Sequence, residues 1–383
     1  MKKETILVFT GGGLAPALNP TLYGVIKEAR KFGYRILGGM YGWASLSKNG
    51  RIIDLTKLNV ESIKKRGGTF LRSSRTNLYK VEGGLEQLKG KLKEQKIDHL
   101  IAIGGDDTLG AARKLYKNEK INIVGIPKTI DNDLSGTYWS PGFPSAAHYT
   151  AQYTKEVRED AAYSLSRIFI IEVLGRKSGW ITASAYYGGS DVIIVPPERK
   201  VDIKNFLDKL VKRYAKNGNF AVVVISEEAD FGKSVRGVWQ DQKDSFGIRR
   251  KSLTGVALRD IISSQTGIDT KVLIPGNYIQ AGEPIKIDRD VAVKLGQRAV
   301  NLVNQKKFGR MSCVVKKGKA IEVDDIDLAK VVGKNNLKVL DDSYFDFKNF
   351  RPKQKLLDYF EPILGKYQTP DPEYYKLIAK INQ

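Results

Sequence analysis

Residues 101–133 read IAIGGDDTLGAARKLYKNEKINIVGIPKTIDND, and this stretch decides the fold. The apolar, β-branched runs at residues 99–103 and 121–126 have the length of buried parallel strands, and polar residues end each run abruptly. A helical apolar pattern at residues 109–115 separates them. The order strand, helix, strand predicts a right-handed β-α-β crossover and therefore an α/β protein with a mainly parallel sheet.

Polar loops follow both predicted strands, at the edge of an α/β sheet where ligands bind. The first loop, GGDDT at residues 104–108, opens directly into the helix, so its amides and the helix dipole can face an anion. The second, PKTIDND at residues 127–133, combines a lysine, a hydroxyl and carboxylates. Carboxylates suit Mg²⁺ or proton abstraction, and lysine suits a multiply charged phosphate. Acids and glycines are also ordinary turn formers, so it is the two loops together that predict phosphate chemistry.

The composition is that of a globular protein. With 383 residues, of which 42% are hydrophobic and 28% charged, we expect a two-lobed enzyme or two domains. No stretch approaches the roughly eighteen apolar residues of a membrane helix, so no membrane partner is expected. The only cysteine, Cys313, excludes an internal disulfide and favours the cytoplasm.

The formal charge of +22 is typical of proteins that bind polyanions, including nucleic acid. The lysines, however, are spread along the chain beside 42 acidic residues and form no long basic tract. We therefore expect small phosphorylated substrates and no nucleic-acid partner.

A further phosphate-binding turn is predicted near the start of the chain. Residues 5–9 form an apolar strand, residues 10–16 a glycine-rich turn, and an amphipathic helix follows from about residue 20 to residue 32. This is the geometry that cradles phosphates. Residues 66–75 form a basic loop that also carries hydroxyl groups.

GGDDT and PKTIDND, with Leu174-Gly175-Arg176 downstream, resemble the phosphofructokinase family over residues 4–300. Asp107 and Lys128 resemble its pyrophosphate-dependent branch, because the ATP-dependent bacterial enzymes usually have glycine at both positions. The resemblance implies two similar lobes, each a mainly parallel sheet flanked by helices, with the active site in the cleft between them.

The same resemblance implies a division of the chain. Residues 1–138, with part of the later chain, are expected to form the donor-phosphate lobe, and residues 139–305 mainly the acceptor lobe. Residues 306–383 are expected to form a C-terminal segment that returns to the body and ends in an aromatic, basic tail.

On the donor side, the resemblance implies that Asp131 takes the proton of the acceptor hydroxyl while Thr129 and Asp133 orient or support it. Asp106 is expected to hold the cofactor, Mg²⁺, on the donor. Asp107 points to where the α-phosphate of a nucleotide would lie, so its charge and bulk exclude a nucleotide. The remaining donor-side residues are Lys128, Gly12, Gly13 and Gly105 at the phosphates, and Arg75, with Arg72 as a second candidate, at the phosphoryl group in transfer.

On the acceptor side, the resemblance implies that the Leu174-Gly175-Arg176 loop binds the sugar phosphate and that Glu227 accepts the sugar hydroxyls. Arg167 is expected to reach into the site of a neighbouring subunit, which implies a homodimer or homotetramer. Tyr278 and Lys271 match positions where relatives hold the sugar and its distal phosphate. The segment that contains Gln280, Ala281 and Glu283 supplies no second cation, although relatives have one there.

The function that follows is a reversible, glycolytic transfer of phosphate from pyrophosphate to the 1-hydroxyl of fructose 6-phosphate. An ATP-dependent 6-phosphofructokinase or related sugar-phosphate kinase remains an alternative. Because the second cation is missing near Ala281, a pyrophosphate-dependent kinase of an unphosphorylated sugar or a cyclitol such as myo-inositol is another. An NAD kinase and a non-catalytic anion or nucleic-acid binder are more remote.

Overall fold

The structure, a computed structural model, describes residues 4–163, 165–235, 237–239, 251–332 and 337–368, with Glu373, Leu377, Lys380 and Ile381. The end of the predicted segment 306–383 therefore lies in part outside the described residues. These described residues form two compact units. The first comprises residues 4–145, 280–332 and 337–338, and the second comprises residues 146–163, 165–235, 237–239, 251–279 and 339–368 together with Glu373, Leu377, Lys380 and Ile381.

The described strands are β1 (Thr5–Thr10), β2 (Arg35–Gly39), β3 (Ile52–Asp54), β4 (His99–Gly104), β5 (Ile123–Pro127), β6 (Ile168–Val173), β7 (Ile193–Val195), β8 (Ala221–Ser226), β9 (Val238–Trp239), β10 (Lys251–Ser252), β11 (Thr270–Leu273), β12 (Arg310–Lys317), β13 (Ala320–Asp327), β14 (Phe345–Asp346) and β15 (Arg351–Pro352). The described α-helices are α1 (Leu18–Lys31), α2 (Gly84–Glu94), α3 (Asp106–Glu119), α4 (Phe143–Tyr163), α5 (Trp180–Ser184), α6 (Ile203–Lys216), α7 (Thr254–Thr266), α8 (Tyr278–Ala281), α9 (Lys286–Asn304) and α10 (Gln354–Leu364). No described helix has both the length and the apolar character needed to cross a membrane.

The first unit is built on a seven-stranded sheet in the order β13-β12-β5-β4-β1-β2-β3. The five inner strands are parallel, whereas the edge strands β3 and β13 are antiparallel to their neighbours. The inner strands β1, β4 and β5 are buried along their whole length, which explains their continuous apolar runs. The α/β fold with a mainly parallel sheet, predicted from residues 101–133, is confirmed.

The second unit is built on a four-stranded, fully parallel sheet in the order β11-β6-β8-β7. Its core combines side chains of β6, β7 and β8 with those of α6 and α7, and Phe350 from the later chain packs into it. The polar residues that follow β6 and β8 meet at one edge of this sheet, because parallel neighbours end on the same side.

The division of the later chain differs from the predicted one. Residues 280–305, which we expected in the acceptor lobe, belong to the first unit together with residues 306–332. The cause is close helix packing: α9 lies against α1, and a Cβ added at Gly24 would come within 2.2 Å of the Val293 carbonyl oxygen. Gly296 on α9 meets the Thr21 carbonyl in the same way, at 2.4 Å. Which unit binds donor and which binds acceptor stays a prediction.

Candidate active site

The loops after β4 and β5 lie side by side in the first unit. The two strands pair in register from Leu100 with Ile123 to Gly104 with Pro127. The Lys128 backbone N–H then donates to the Gly104 carbonyl at 3.0 Å, which extends the pairing into the loops. The two polar motifs of the central sequence stretch are therefore adjacent in space as well as in the chain.

The glycine-rich turn after β1 joins this pair of loops. The Gly11 N–H donates to the Ile103 carbonyl at 2.8 Å, and Gly12 has a φ of 82°, a left-handed conformation that favours glycine. The Ser73 hydroxyl donates to the Gly12 carbonyl at 2.6 Å, which fixes the turn against the basic loop that also carries Arg75. Three loops from distant parts of the sequence thus form one surface.

Lys128 is the buried cation of this surface. Its Nζ donates to the Gly13 carbonyl at 2.5 Å. Burial lowers the pKa of Lys128 to about 8; the Asp131 and Asp133 carboxylates oppose this shift, whereas the Arg75 cation adds to it. The lysine is therefore largely charged at neutral pH, and an anion bound nearby would raise its pKa.

The turn at residues 129–133 presents two carboxylates. The Asp131 N–H donates to the Thr129 hydroxyl at 3.0 Å, so the threonine side chain fixes the backbone of Asp131. Asn132 has a φ of 55°, and its side-chain oxygen accepts a hydrogen bond from the Ser140 N–H at 3.3 Å. This tight turn holds Asp131 and Asp133 on either side of a buried asparagine.

Asp106 and Asp107 occupy the first turn of α3, immediately after Gly105. Asp106 is half-buried and Asp107 is exposed. Both line a cavity of about 430 Å³ whose other side chains include Tyr79, Arg113 and Lys114. Most of the residues that line this cavity belong to α3.

Mg²⁺ was predicted on Asp106, and the residues present fit this ion. The described residues contain no group of three or more His, Cys, Asp or Glu side chains that could hold a metal. Mg²⁺, however, typically uses one or two carboxylates, with substrate phosphates and water completing its shell. A single half-buried carboxylate beside a phosphate-binding surface is therefore a suitable ligand set, whereas a site built for Zn²⁺ would need more protein ligands.

In the second unit, Glu227 lies directly after β8, next to the loop that follows β6. Its Oε1 accepts a hydrogen bond from the Arg176 backbone N–H at 3.2 Å. Gly175 has a φ of 145°, a conformation open to glycine, and lets the chain turn beside the glutamate. Burial raises the pKa of Glu227 to about 7, although hydrogen bonds from the Arg176 and Gly175 amides oppose the shift. Leu174, Gly175, Arg176 and Glu227 are thus brought together.

The other predicted acceptor residues lie apart from this group or at its surface. Arg167 precedes β6 and pairs with Asp269 at 3.1 Å, so it lies roughly 20 Å from the carboxyl end of that strand. Lys271 is exposed on the edge strand β11. The Tyr278 side chain is 56% exposed and packs edge-on against Tyr149, with ring centroids 5.6 Å apart.

Glu172 is a buried acid in the second unit that was not identified from the sequence. Its two carboxylate oxygens accept hydrogen bonds from the Leu253 N–H at 3.0 Å and the Gly255 N–H at 2.7 Å, which anchors the start of α7 to β6. The available signal was one acidic residue in the apolar run IFIIEVL, since a charge inside a buried strand needs partners.

An α/β sheet whose three adjoining loops present glycine amides, a buried lysine and paired carboxylates has the features of a phosphotransferase. A family model for phosphofructokinase matches residues 5–303. The chain belongs to the phosphofructokinase family.

Relatives and solved structures agree with this assignment. The chain is 35% identical over 348 residues to a pyrophosphate–fructose 6-phosphate 1-phosphotransferase from Dictyoglomus thermophilum, which covers 90% of this chain and 98% of that protein. It is 32% identical over 327 residues to an ATP-dependent 6-phosphofructokinase from Corynebacterium efficiens, covering 85% and 93%. The crystal structure of a pyrophosphate-dependent phosphofructokinase from Nitrosospira multiformis has the same fold, with a TM-score of 0.83, 23% identity, and coverage of 97% and 94%.

Proposed function

We propose that this protein transfers a phosphoryl group from pyrophosphate to the 1-hydroxyl of fructose 6-phosphate, reversibly and with Mg²⁺. The observation that carries the proposal is the buried Lys128, whose Nζ lies at the Gly13 carbonyl beside the Asp106–Asp107 turn. A short, highly charged donor needs a cation of this kind at its phosphates. The relative from Dictyoglomus thermophilum, whose name states this activity, supports the same reading.

We assign the proton transfer to Asp131. Phosphoryl transfer requires the protein chiefly to align the reactants, neutralise charge and remove the proton of the acceptor hydroxyl. The Thr129 hydroxyl accepts a hydrogen bond from the Asp131 N–H and so orients the base, while Asp133 supports it from the same turn. Arg75, which is close enough to Lys128 to influence its pKa, stabilises the charge that develops on the transferred group.

We assign the donor phosphates to the backbone of Gly12, Gly13 and Gly105 and to Lys128. The amino end of α3 adds its dipole to this anion site. Asp107 lines the cavity of about 430 Å³ along α3. Its carboxylate repels the inner phosphate of a nucleotide, whereas pyrophosphate is too short to reach it.

We assign Mg²⁺ to Asp106. When bound, the ion neutralises charge on the donor oxygens. The carboxylate of Asp106 lies in the first turn of α3, immediately after Gly105 of the donor-phosphate turn.

We assign the acceptor to the second unit. Glu227 in its ionised form accepts hydrogen bonds from sugar hydroxyls, and the Leu174-Gly175-Arg176 loop binds the sugar phosphate. Tyr278 presents an exposed ring to the sugar, and Lys271 supplies the cation for its phosphate. We assign Arg167, which is buried at the far end of β6 from Glu227 and pairs with Asp269, to the site of a neighbouring subunit in a homodimer or homotetramer.

The test is a crossed panel of pyrophosphate, ATP and ADP against fructose 6-phosphate, sedoheptulose 7-phosphate, fructose and myo-inositol. We expect turnover with pyrophosphate and fructose 6-phosphate to exceed every other combination by at least about tenfold. Robust turnover with ATP and none with pyrophosphate would overturn the donor assignment. Preference for a neutral polyol would overturn the acceptor assignment and leave the donor assignment intact.

The base is tested separately with Asp131→Asn. We expect turnover to fall by about 10³-fold or more while acceptor binding stays within about threefold, because the amide keeps the shape of the side chain but cannot take the proton. Near-normal turnover would remove Asp131 from this role.

A further inference from the structure

A lysine from outside the family-matched region reaches the turn that carries Asp131. Lys338 lies beyond residue 303, where the family model ends. Its Nζ donates to the Asn132 side-chain oxygen at 2.9 Å, to the Tyr138 carbonyl at 2.8 Å and to the Thr137 carbonyl at 3.3 Å. One ammonium group therefore contacts the residue between the two acids and the backbone that follows them.

The backbone of the same segment also pairs with the turn. The Lys338 N–H donates to the Asp133 carbonyl at 2.8 Å, and Leu337 forms an antiparallel bridge with Leu134. Together, the side-chain and backbone contacts of Lys338 form four hydrogen bonds to residues that follow Asp131 in the chain.

These contacts bear directly on the conformation of the turn. Asn132 is fully buried and has a φ of 55°, a left-handed conformation that is uncommon for a residue other than glycine. Its side-chain oxygen receives hydrogen bonds from both Lys338 and the Ser140 N–H, so the asparagine is held from two directions. The direction in which Asp131 projects depends on this backbone geometry.

A charged Lys338 loses solvation in this buried position, and a neutral hydrogen-bond donor would not lose as much. Burial lowers the pKa of Lys338 to about 7, and the Asp133 carboxylate opposes the shift. A neutral donor could satisfy the same carbonyls without the loss of solvation that a charge suffers. A positive charge, in contrast, also attracts the Asp133 carboxylate, which a neutral donor cannot do.

We propose that Lys338 is a positioning residue for phosphoryl transfer, holding the Asp131–Asp133 turn in its reactive geometry through Asn132 and the Asp133 carbonyl. The proposal rests on the proposed function in one respect only, the assignment of Asp131 as the base. It gives the segment after the family-matched region an indirect part in the reaction, through the turn that carries Asp131.

The main test compares Lys338→Met with Lys319→Met, which removes an exposed lysine in the tight connection between β12 and β13. We expect Lys338→Met to lower kcat by about 30-fold or more and to leave the Kd of pyrophosphate, measured by calorimetry, within about threefold. Lys319→Met should change neither quantity. Wild-type kcat per folded molecule in Lys338→Met would overturn the proposal.

A double-mutant cycle with Asn132→Ala separates positioning from simple stabilisation. If Lys338 acts through Asn132, the double variant should lose little more kcat than the more damaging single variant. Losses that multiply would overturn the proposed route. If Lys338→Met does not fold, Lys338→Arg takes its place in the same comparison, because it keeps the positive charge. We expect kcat of Lys338→Arg to lie within about tenfold of the wild-type value. A loss of about 30-fold or more would count against the idea that the charge at this position holds the turn.

Amide hydrogen exchange tests whether Lys338 fixes the conformation of the Asp131–Asp133 turn, without any assay of turnover. Amides of residues 129–140 should exchange at least about tenfold faster in Lys338→Met than in Lys319→Met, while those of β4 stay unchanged. Unchanged exchange would overturn the proposal even if the donor or acceptor has been assigned wrongly. The kinetic experiments use whichever donor and acceptor the wild-type enzyme turns over, so failure of the proposed function shows itself separately in the panel.

Discussion

Lys128 Nζ donates a hydrogen bond to the carbonyl oxygen of Gly13, 115 residues away in the chain, at 2.5 Å. This contact joins the turn after β1 to the loop after β5 and places a cation among glycine amides. Because the ammonium is buried, its charge is poorly solvated and is available to a bound anion. The donor specificity of the protein is expected to depend on this pair.

Pyrophosphate binding should therefore be coupled to protonation of Lys128. Burial holds the pKa of Lys128 at about 8 in the free protein, so part of the population is neutral above that pH, and a bound anion restores the proton. Calorimetry at about pH 8.5 in buffers of different ionisation enthalpy should show proton uptake that is larger for the wild type than for Lys128→Met.

Lys128→Met should also bind pyrophosphate about 10- to 100-fold more weakly at neutral pH. Because both proteins are titrated with the same ligand at the same pH, protonation of pyrophosphate itself cancels in the comparison. Equal proton uptake by the two proteins would contradict the assignment of Lys128 to the donor phosphates.

Replacing Asp107 should relax donor selection. Asp107→Gly removes both charge and bulk from the lining of the cavity along α3, and we expect the ratio of ATP to pyrophosphate turnover to rise by at least about tenfold. Asp107→Asn keeps the volume and removes the charge. A rise in both variants identifies repulsion as the cause, a rise in Asp107→Gly alone identifies bulk, and no rise in either would show that Asp107 does not select the donor.

The buried Glu227 carboxylate, which we assign to acceptor binding, should lower the stability of the protein when it is ionised. The pKa of Glu227 is raised to about 7 in the folded state. Its contribution to stability is therefore fully present at a pH below the ordinary glutamate pKa and is lost as the pH rises through about 7. Glu227→Gln should therefore be more stable than the wild type above that pH, by up to about 3 kcal/mol, with the gain vanishing toward acid pH. Urea unfolding across the pH range measures this difference.

The same substitution should raise the KM of the acceptor by about tenfold or more, because an amide is a weaker acceptor for sugar hydroxyls than a carboxylate. A variant that is no more stable at about pH 8, or that binds the acceptor normally, would argue against a buried functional carboxylate at this position.

Asp288 should be a major determinant of stability in the first unit. Its fully buried carboxyl group accepts the Gly142 N–H at 3.0 Å, the Ser145 N–H at 3.3 Å and the Ser145 hydroxyl at 2.5 Å, which secures the start of α4. Asp288→Ala leaves these donors unpaired and should lower the free energy of unfolding by about 3 kcal/mol or more.

Asp290→Ala is the matched control, since this residue lies on the same helix and forms an exposed ion pair with Lys286. It should cost less than about 1 kcal/mol in the same urea titration. Similar losses for the two variants would show that the buried hydrogen bonds of Asp288 contribute no more than a surface charge.

The sequence by itself determined the local architecture of the central stretch. The runs that become β4 and β5 are apolar because both faces of these strands are covered, and the acids and glycines that follow them mark the ends of the strands. The positions of Asp106, Lys128 and Asp131 on loops followed from this pattern, because hydrophobic runs and turn-forming residues act over a few neighbours in the chain.

Only the tertiary structure decided which distant residues join these loops. The contact of Lys128 with Gly13, the capping of α4 by Asp288 and the approach of Lys338 to Asn132 depend on how sheets and helices pack, and no local pattern records them. Lys338 is one of 64 lysine and arginine residues and has no motif around it. The place of residues 280–305 in the first unit was likewise set by the fit of α9 against Gly24 of α1, because the choice of packing partner depends on the shapes of both helix surfaces.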